Sequence, residues 1–321
     1  MKFKPILFAG LLYLWAIQSC TSIAEDASDW RVATLPIAQQ QDIRSAATGQ
    51  TYRIFISKPA VEPPPEGFPV IYVLDGNVLF YPVSMLVHGQ SQRREATGIT
   101  PAVVVGIGYP TQRMLDEVSR AEDLTPPAPD LSDTGDQRAP RQGGADRFLD
   151  FVEQELKPLI AKEVHINPQQ QALFGHSYGG LLTLHTLFTR PQAFQVYIAS
   201  SPSIWWNKQF ILTEEQAFMA ASSLDLSHSR LLLMVGGLEQ GRPVATDATA
   251  PGNTSTQRRQ MVDATRELAS RLQQAKPHGL STFYQLQVGE NHGTAMWTGS
   301  IRAVEFFMGR SDKFNAEVSQ P

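Results

Sequence analysis

Cysteine is almost missing from this chain: of 321 residues, Cys20 is the single one. No disulfide can form within one molecule, so stability has to come from a packed core, and an oxidising compartment finds nothing to mispair. An excess of charge of one sign is missing too. Lys and Arg number 27 against 31 Asp and Glu, a net charge of −4, and the basic residues are scattered rather than striped. That excludes the electrostatic footprint of a nucleic-acid binder. No His-Glu-x-x-His or similar ligand spacing occurs, so neither a metal site nor a cofactor is expected. Heptad runs and internal repeats are absent, which removes coiled coils and solenoids. The N-terminal apolar run, Pro5–Ile17, is shorter than the roughly 20 residues a bilayer crossing needs.

That run, preceded by Lys2 and Lys4 and followed by small and polar residues, reads as an export signal over residues 1–24. Two processing routes stay open. Cleavage after Ser22-Ile23-Ala24 leaves a soluble chain from Glu25, whereas Ile17-Gln18-Ser19-Cys20 resembles a bacterial lipoprotein box. Lipidation of Cys20 would be the chain's one attachment to a membrane. Losing Lys2 and Lys4 takes the net charge from −4 to −6. A periplasmic location is expected.

What is present suits one α/β domain over 25–321. Hydrophobic types make up 42% and charged types 18%, enough apolar material for a sizeable core. Residues 25–50 are polar and weakly patterned and read as a lead-in. TYRIFISK (51–58) alternates like a half-exposed strand. PVIYVLDG (69–76) and PAVVVGIG (101–108) are near-continuous β-branched runs, suited to a parallel sheet covered on both faces. Residues 109–144, with Pro126, Pro127, Pro129 and Pro140, read as a long irregular connection, which in a compact domain is usually functional or disordered. Phe148, Leu149, Val152, Leu156, Leu159 and Ile160 repeat at helical spacing, and Pro158 should bend or strain the last turn. Strands are expected at 171–175, 195–200, 230–237 and 281–288. Helices are expected at 181–189, between 200 and 230, at 258–274 and at 294–308. This alternation indicates βαβ units.

FGHSYGG (174–180) sets a serine between glycines, after a strand and before a helix. Strand, serine turn and helix make the arrangement of a nucleophile elbow; the alternative is a helix N-cap serine. Ser177 needs a base. Besides His176, the candidates are His88, His165, His185, His228, His278 and His292. His292 follows the last strand, at the C-terminal sheet edge where open α/β folds place ligands, and is the choice. Glu239, after the 230–237 strand, would hold the imidazole, with Asp247 in the same loop as the alternative; a serine–histidine pair alone also stays open. The order serine, acid, histidine is that of α/β-hydrolases. Oxyanion donors should be the Tyr178 amide, next to the nucleophile, and the Asn77 amide in Leu74-Asp75-Gly76-Asn77.

With YVLDGN (72–77), RAEDLTPP (120–127), GGADRFLDFVEQELKPLI (143–160), FGHSYGG (174–180), SPSIWWN (201–207), GGLEQG (236–241) and NHG (291–293), the chain resembles the α/β-hydrolase esterases of the enterochelin-esterase and S-formylglutathione-hydrolase type over residues 35–310. It is most similar to exported siderophore esterases. The resemblance implies a mostly parallel central sheet with helices on both faces and a cap over the site at 109–144. It implies Ser177 as nucleophile, His292 as base and Asn77 and Tyr178 as oxyanion donors; for the acid it is equivocal. The expected substrate is a small-molecule ester, a ferric catecholate siderophore of the enterobactin kind, with iron arriving on the substrate. Arg120, Arg138 and Arg141 of the cap would meet its negative charge, and Trp205, Trp206 and Trp297 would stack on its rings. Two other readings remain: a general carboxylesterase, and an exported siderophore-binding protein without catalysis, against which the serine, the histidine and the glycine flanks argue.

Overall fold

The computed structural model describes residues 37–222, 224–240, 259–310 and 314. The export segment with Cys20, and Asp247, lie outside the described residues. Eight strands form one sheet: β1 (Ala38–Arg44), β2 (Thr51–Ser57), β3 (Phe68–Leu74), β4 (Val103–Gly108), β5 (Ile166–His176), β6 (Val196–Ser200), β7 (Arg230–Gly236) and β8 (Ser281–Gln287). Their order is β1-β2-β4-β3-β5-β6-β7-β8. β1–β2 and β2–β4 are antiparallel, and every pair from β4 to β8 is parallel.

The period of two divides the apolar strands between two cores. In β3, Val70, Tyr72 and Leu74 enter one cluster, while Ile71 and Val73 enter the other. The second cluster is closed by helices α1 (Gly76–Ser91) and, at the far end of the chain, His292–Phe307. Helix α2 (Arg94–Thr97) is a single turn. The first cluster is closed by α4 (Ala145–Asp150), a π-helical turn at Phe151–Leu156, α5 (Lys157–Glu163), α6 (Tyr178–Thr189), α8 (Ile211–Ala220) and α9 (Met261–Ala275). Helix α3 (Glu117–Asp123) and the short α7 (Trp206–Gln209) lie between these, and α10 denotes His292–Phe307. Among the described residues no helix is long and apolar enough to cross a membrane.

Three expectations need correction. Residues 38–44 are a strand rather than an unstructured lead-in. Their polarity hides it because β1 is an edge strand, exposed along most of its length; pairing with β2 holds it, including Asp42 opposite Arg53 with a 2.8 Å ion pair. Residues 109–144 are not wholly irregular. Helix α3 forms there because Asp116 accepts the Ser119 N–H as an N-cap. The distortion expected at Pro158 lies before it rather than in the last turn: Phe151–Leu156 is π-helical, and the proline falls in the first turn of α5.

Candidate active site

β3 leads to β4 on one side and β5 flanks it on the other, so the C-terminal ends of β3 and β5 bracket a topological switch point. Ser177 follows β5 directly. Its backbone sits at φ 60°, ψ −116°, a region costing a non-glycine residue of order 1–3 kcal/mol and held only by its surroundings. Those surroundings are explicit. The Ser177 N–H donates to the Ser200 carbonyl at 3.0 Å, and its own carbonyl accepts from Leu181 and Ser203. A Cβ on Gly175 would lie 2.2 Å from the Gly179 carbonyl oxygen, so that glycine is required by the tightness of the elbow. The alternative N-cap role fails, because the Ser177 side chain makes no cap hydrogen bond.

His292 arrives on a helix start. Asn291 caps α10 through its side chain, accepting from the Gly293 and Thr294 N–H groups, and the Asn291 N–H donates back to Thr294 Oγ1. That capping box presents His292 in the first turn of the helix. Its Nε2 lies 3.1 Å from Ser177 Oγ, across 115 residues of chain. Its Nδ1 lies 2.7 Å from Glu239 Oε2. A carboxylate can only accept, so Nδ1 carries the proton and Nε2 is free to accept from the serine hydroxyl. Glu239 is buried and fixed by its other oxygen, which accepts from the Gly236 N–H at 2.7 Å and Ser201 Oγ at 2.5 Å. The imidazole is half exposed, at 48%, with one face open to a substrate.

Beneath it His176 packs ring to ring, 4.7 Å between centroids. Burial, then the neighbouring His292 and Arg120, push its pKa well below the usual histidine value, so it stays neutral under the His292 ring. The other histidines are elsewhere: His185 is buried between Glu214 and Asp146, and His278 bonds the Phe218 carbonyl. Asn77 and Tyr178 stand at the starts of α1 and α6, where backbone N–H groups have no intrahelical acceptor. Both are thereby available to a developing oxyanion.

The expected ligand contacts divide. Arg120 is only 8% exposed and its guanidinium grips Asp75 with two bonds of 2.8 Å, so it does not project toward a ligand. Trp206 is fully buried, donating to Gln142; a ring that fills core cannot stack on a substrate. Arg138 is exposed but paired with Asp136, and Arg141 is paired with Glu122. Burial would raise the Asp136 carboxyl, yet hydrogen bonds from Arg138 and Tyr178 hold it down at about 2. Trp205 is half-buried, 6.2 Å from the Tyr178 ring. Trp297 is 42% exposed on the second turn of α10. The sequence reading missed Arg259, whose guanidinium lies 4.0 Å over the Trp205 ring and forms no ion pair among the described residues. Nothing in its flanking sequence marks it; only the fold brings it to Trp205. Ser201, the support of Glu239, opens the quoted string SPSIWWN, but nothing in that string pointed to the contact.

The segment 124–144 lies over this edge by specific contacts. Tyr178 Oη donates to Asp136 at 2.6 Å, Trp206 to Gln142, and the Asn207 N–H to the Thr134 carbonyl. Among the described residues no group of His, Cys, Asp and Glu is arranged to hold a metal ion.

Known proteins share this architecture. The chain is 38% identical over 276 residues to the ferri-bacillibactin esterase BesA of Bacillus subtilis, spanning 85% of this chain and 90% of that one. It is 37% identical over 251 residues to the siderophore triacetylfusarinine C esterase of Aspergillus fumigatus, spanning 74% and 81%. The crystal structure of the BES protein from Bacillus cereus superposes with a TM-score of 0.74 at 35% identity, covering 87% of this chain and 98% of that one. The eight-stranded, mostly parallel sheet with helices on both faces is thus the α/β-hydrolase fold. Residues 45–304 match the model of the Esterase family, and the chain belongs to that family of carboxylic ester hydrolases.

Proposed function

We propose that this protein hydrolyses the ester bonds of siderophores by serine catalysis. The observation that carries the catalytic part is the continuous line Ser177–His292–Glu239, 3.1 and 2.7 Å per link. The siderophore part is supported by the ferri-bacillibactin and triacetylfusarinine C esterases that the chain resembles over most of its length. In this reading Ser177 Oγ gives its proton to His292 Nε2 and attacks the ester carbonyl carbon. The Asn77 and Tyr178 amides receive the tetrahedral oxygen. His292 then protonates the leaving alkoxide, and water deprotonated by the same nitrogen releases the acyl group and restores the serine. Glu239 keeps Nδ1 protonated and balances the imidazolium. Arg259 and Trp205 supply a cationic, aromatic flank suited to an anionic, flat-ringed ligand. Iron, where present, enters with the substrate.

Lys2, Lys4 and the apolar run after them support export, and we place the reaction in the periplasm; mass analysis of the mature N-terminus distinguishes Glu25 from a lipidated Cys20. The direct test is incubation with iron-loaded and iron-free enterobactin, following linear fragments by mass spectrometry. Parent protein should release them, and Ser177→Ala should release none while unfolding at the same temperature. Fragments from the alanine variant would refute serine catalysis. A parent that cleaves only simple chromogenic esters would refute the siderophore assignment.

A further inference from the structure

The oxyanion turn is built in a way its function explains only in part. Asp75, which follows β3, is held at φ 52°, ψ 47°, a left-handed conformation that L-residues other than glycine enter reluctantly, aspartate less so than most. Gly76 follows so close to β4 that a Cβ there would lie 2.8 Å from the Gly106 carbonyl carbon and the Ile107 nitrogen. Asn77 comes next, its side chain tied to the backbone after β4: Oδ1 accepts from the Tyr109 N–H at 2.7 Å and Nδ2 donates to the Tyr109 carbonyl. The Asp75 carboxylate is tied as firmly. Arg120 Nε and Nη2 each donate to one of its oxygens at 2.8 Å, in a site that leaves the two side chains 10% and 3% exposed.

Arg120 also reaches the second donor residue, with its guanidinium carbon 5.3 Å from the centroid of the Tyr178 ring. One buried cation therefore touches the side chains of both turns from which the oxyanion amides come. A buried ion pair is weak support for a fold, since apolar residues of similar size often do as well. It is strong support for a geometry, because the planar fork of arginine admits one orientation of a carboxylate.

We propose that Arg120 is a positioning residue for the oxyanion hole: by clamping Asp75 in its left-handed turn and resting on Tyr178, it sets the Asn77 and Tyr178 N–H groups in register on one oxygen. This rests on the serine-esterase reading, with those two amides as donors. It reassigns Arg120 from ligand contact to scaffold of the transition state. The clamp acts on the developing negative charge and not on the substrate's own charge, so it serves neutral and anionic esters alike.

The test uses the full chain with Arg120→Met, Arg120→Lys and the double variant Arg120→Met/Asp75→Asn, assayed on neutral p-nitrophenyl acetate. Arg120→Met should lower kcat about 100-fold, as loss of one oxyanion donor does, with KM changed less than twofold. Arg120→Lys, lacking the fork, should recover only part of kcat. The double variant leaves no unpaired buried charge, and Asn tolerates the left-handed turn. It should unfold within a few degrees of the parent and still show the kcat loss. Recovery of kcat together with stability would reduce Arg120 to a fold-stabilising residue and overturn the proposal. So would an unchanged kcat on the neutral ester with KM raised only on enterobactin, since Arg120 would then be a substrate contact. Ser177→Ala, run alongside, separates the two levels: activity surviving in it defeats the esterase reading itself, whereas its inactivity with full kcat in Arg120→Met defeats this proposal alone.

Discussion

At the scale of single residues, the informative group is Glu239, because its role could not be decided from the chain. A glutamate in VGGLEQG has the composition of a solvated loop residue, and the resemblance to known esterases left the acid open. The structure buries its carboxylate and spends both oxygens, one on His292 and the other on Ser201 and Gly236. Glu239→Gln is nearly isosteric and retains an acceptor for Ser201 and Gly236. Its amide would then face Nδ1 and favour the tautomer with the proton on Nε2, which cannot accept from serine. The expected result is a fall in kcat of roughly 10²–10⁴-fold, by analogy with the asparagine replacement in serine proteases, at unchanged KM and melting temperature. A kcat within threefold of the parent would mean that serine and histidine work as a pair.

At the scale of elements, strands and their loops were legible where side-chain chemistry and periodicity agreed. β3 and β4 announce themselves as apolar runs because both faces of a parallel sheet are covered, and the serine elbow shows itself because its sharp turn demands small flanks. β1 was not legible: an edge strand held by main-chain pairing needs no apolar pattern. Helix α1 was hidden because Asp75, Gly76 and Asn77 at its start read as turn residues, and Arg259 because its partner Trp205 is distant in sequence. His292 was singled out by its position after the last strand, and the cap beside it fixes where its ring stands. Asn291 accepts two N–H groups and is locked by Thr294. Asn291→Ala removes that cap, which should destabilise the protein by about 1 kcal/mol and loosen the helix turn that carries His292. A kcat loss of about tenfold or more on p-nitrophenyl acetate, beyond the small drop in melting temperature, is expected. Asn291→Asp, which preserves the acceptor, should restore both. Equal activity in the alanine variant would show that Glu239 alone aims the imidazole.

At the scale of the whole molecule, buried ionisable groups set how stability varies with pH, and their contributions oppose one another. Asp123 sits at the end of α3, 1% exposed, accepting hydrogen bonds from Tyr109 Oη at 3.1 Å and Gln50 Nε2 at 3.2 Å. Burial raises its pKa to about 7, against hydrogen bonds from Tyr109 and Tyr52. Between the unfolded value of 3.8 and about 7, the native state keeps a proton that the unfolded state has lost, so this group makes stability fall as pH rises. His176, held neutral by burial, acts oppositely below its unfolded value of 6.5. His185 loses stabilisation above that value: burial lowers its pKa, but the hydrogen bonds to Asp146 and Glu214 prevail and raise it. The parent profile is thus a composite, and a single-site difference is needed to read one group. Asp123→Asn keeps the shape and an acceptor for one donor while abolishing the titration. Below pH 4 both proteins carry a neutral group there, and their unfolding free energies should nearly coincide. By pH 8 the parent holds a buried carboxylate and the variant does not. The displacement from 3.8 to about 7 sets an upper bound of about 4 kcal/mol on the variant's advantage. Urea unfolding of both proteins at pH 4, 6 and 8 measures that difference directly. A gap that stays constant across the three would mean that the Asp123 carboxyl ionises as easily in the folded protein as in the unfolded chain.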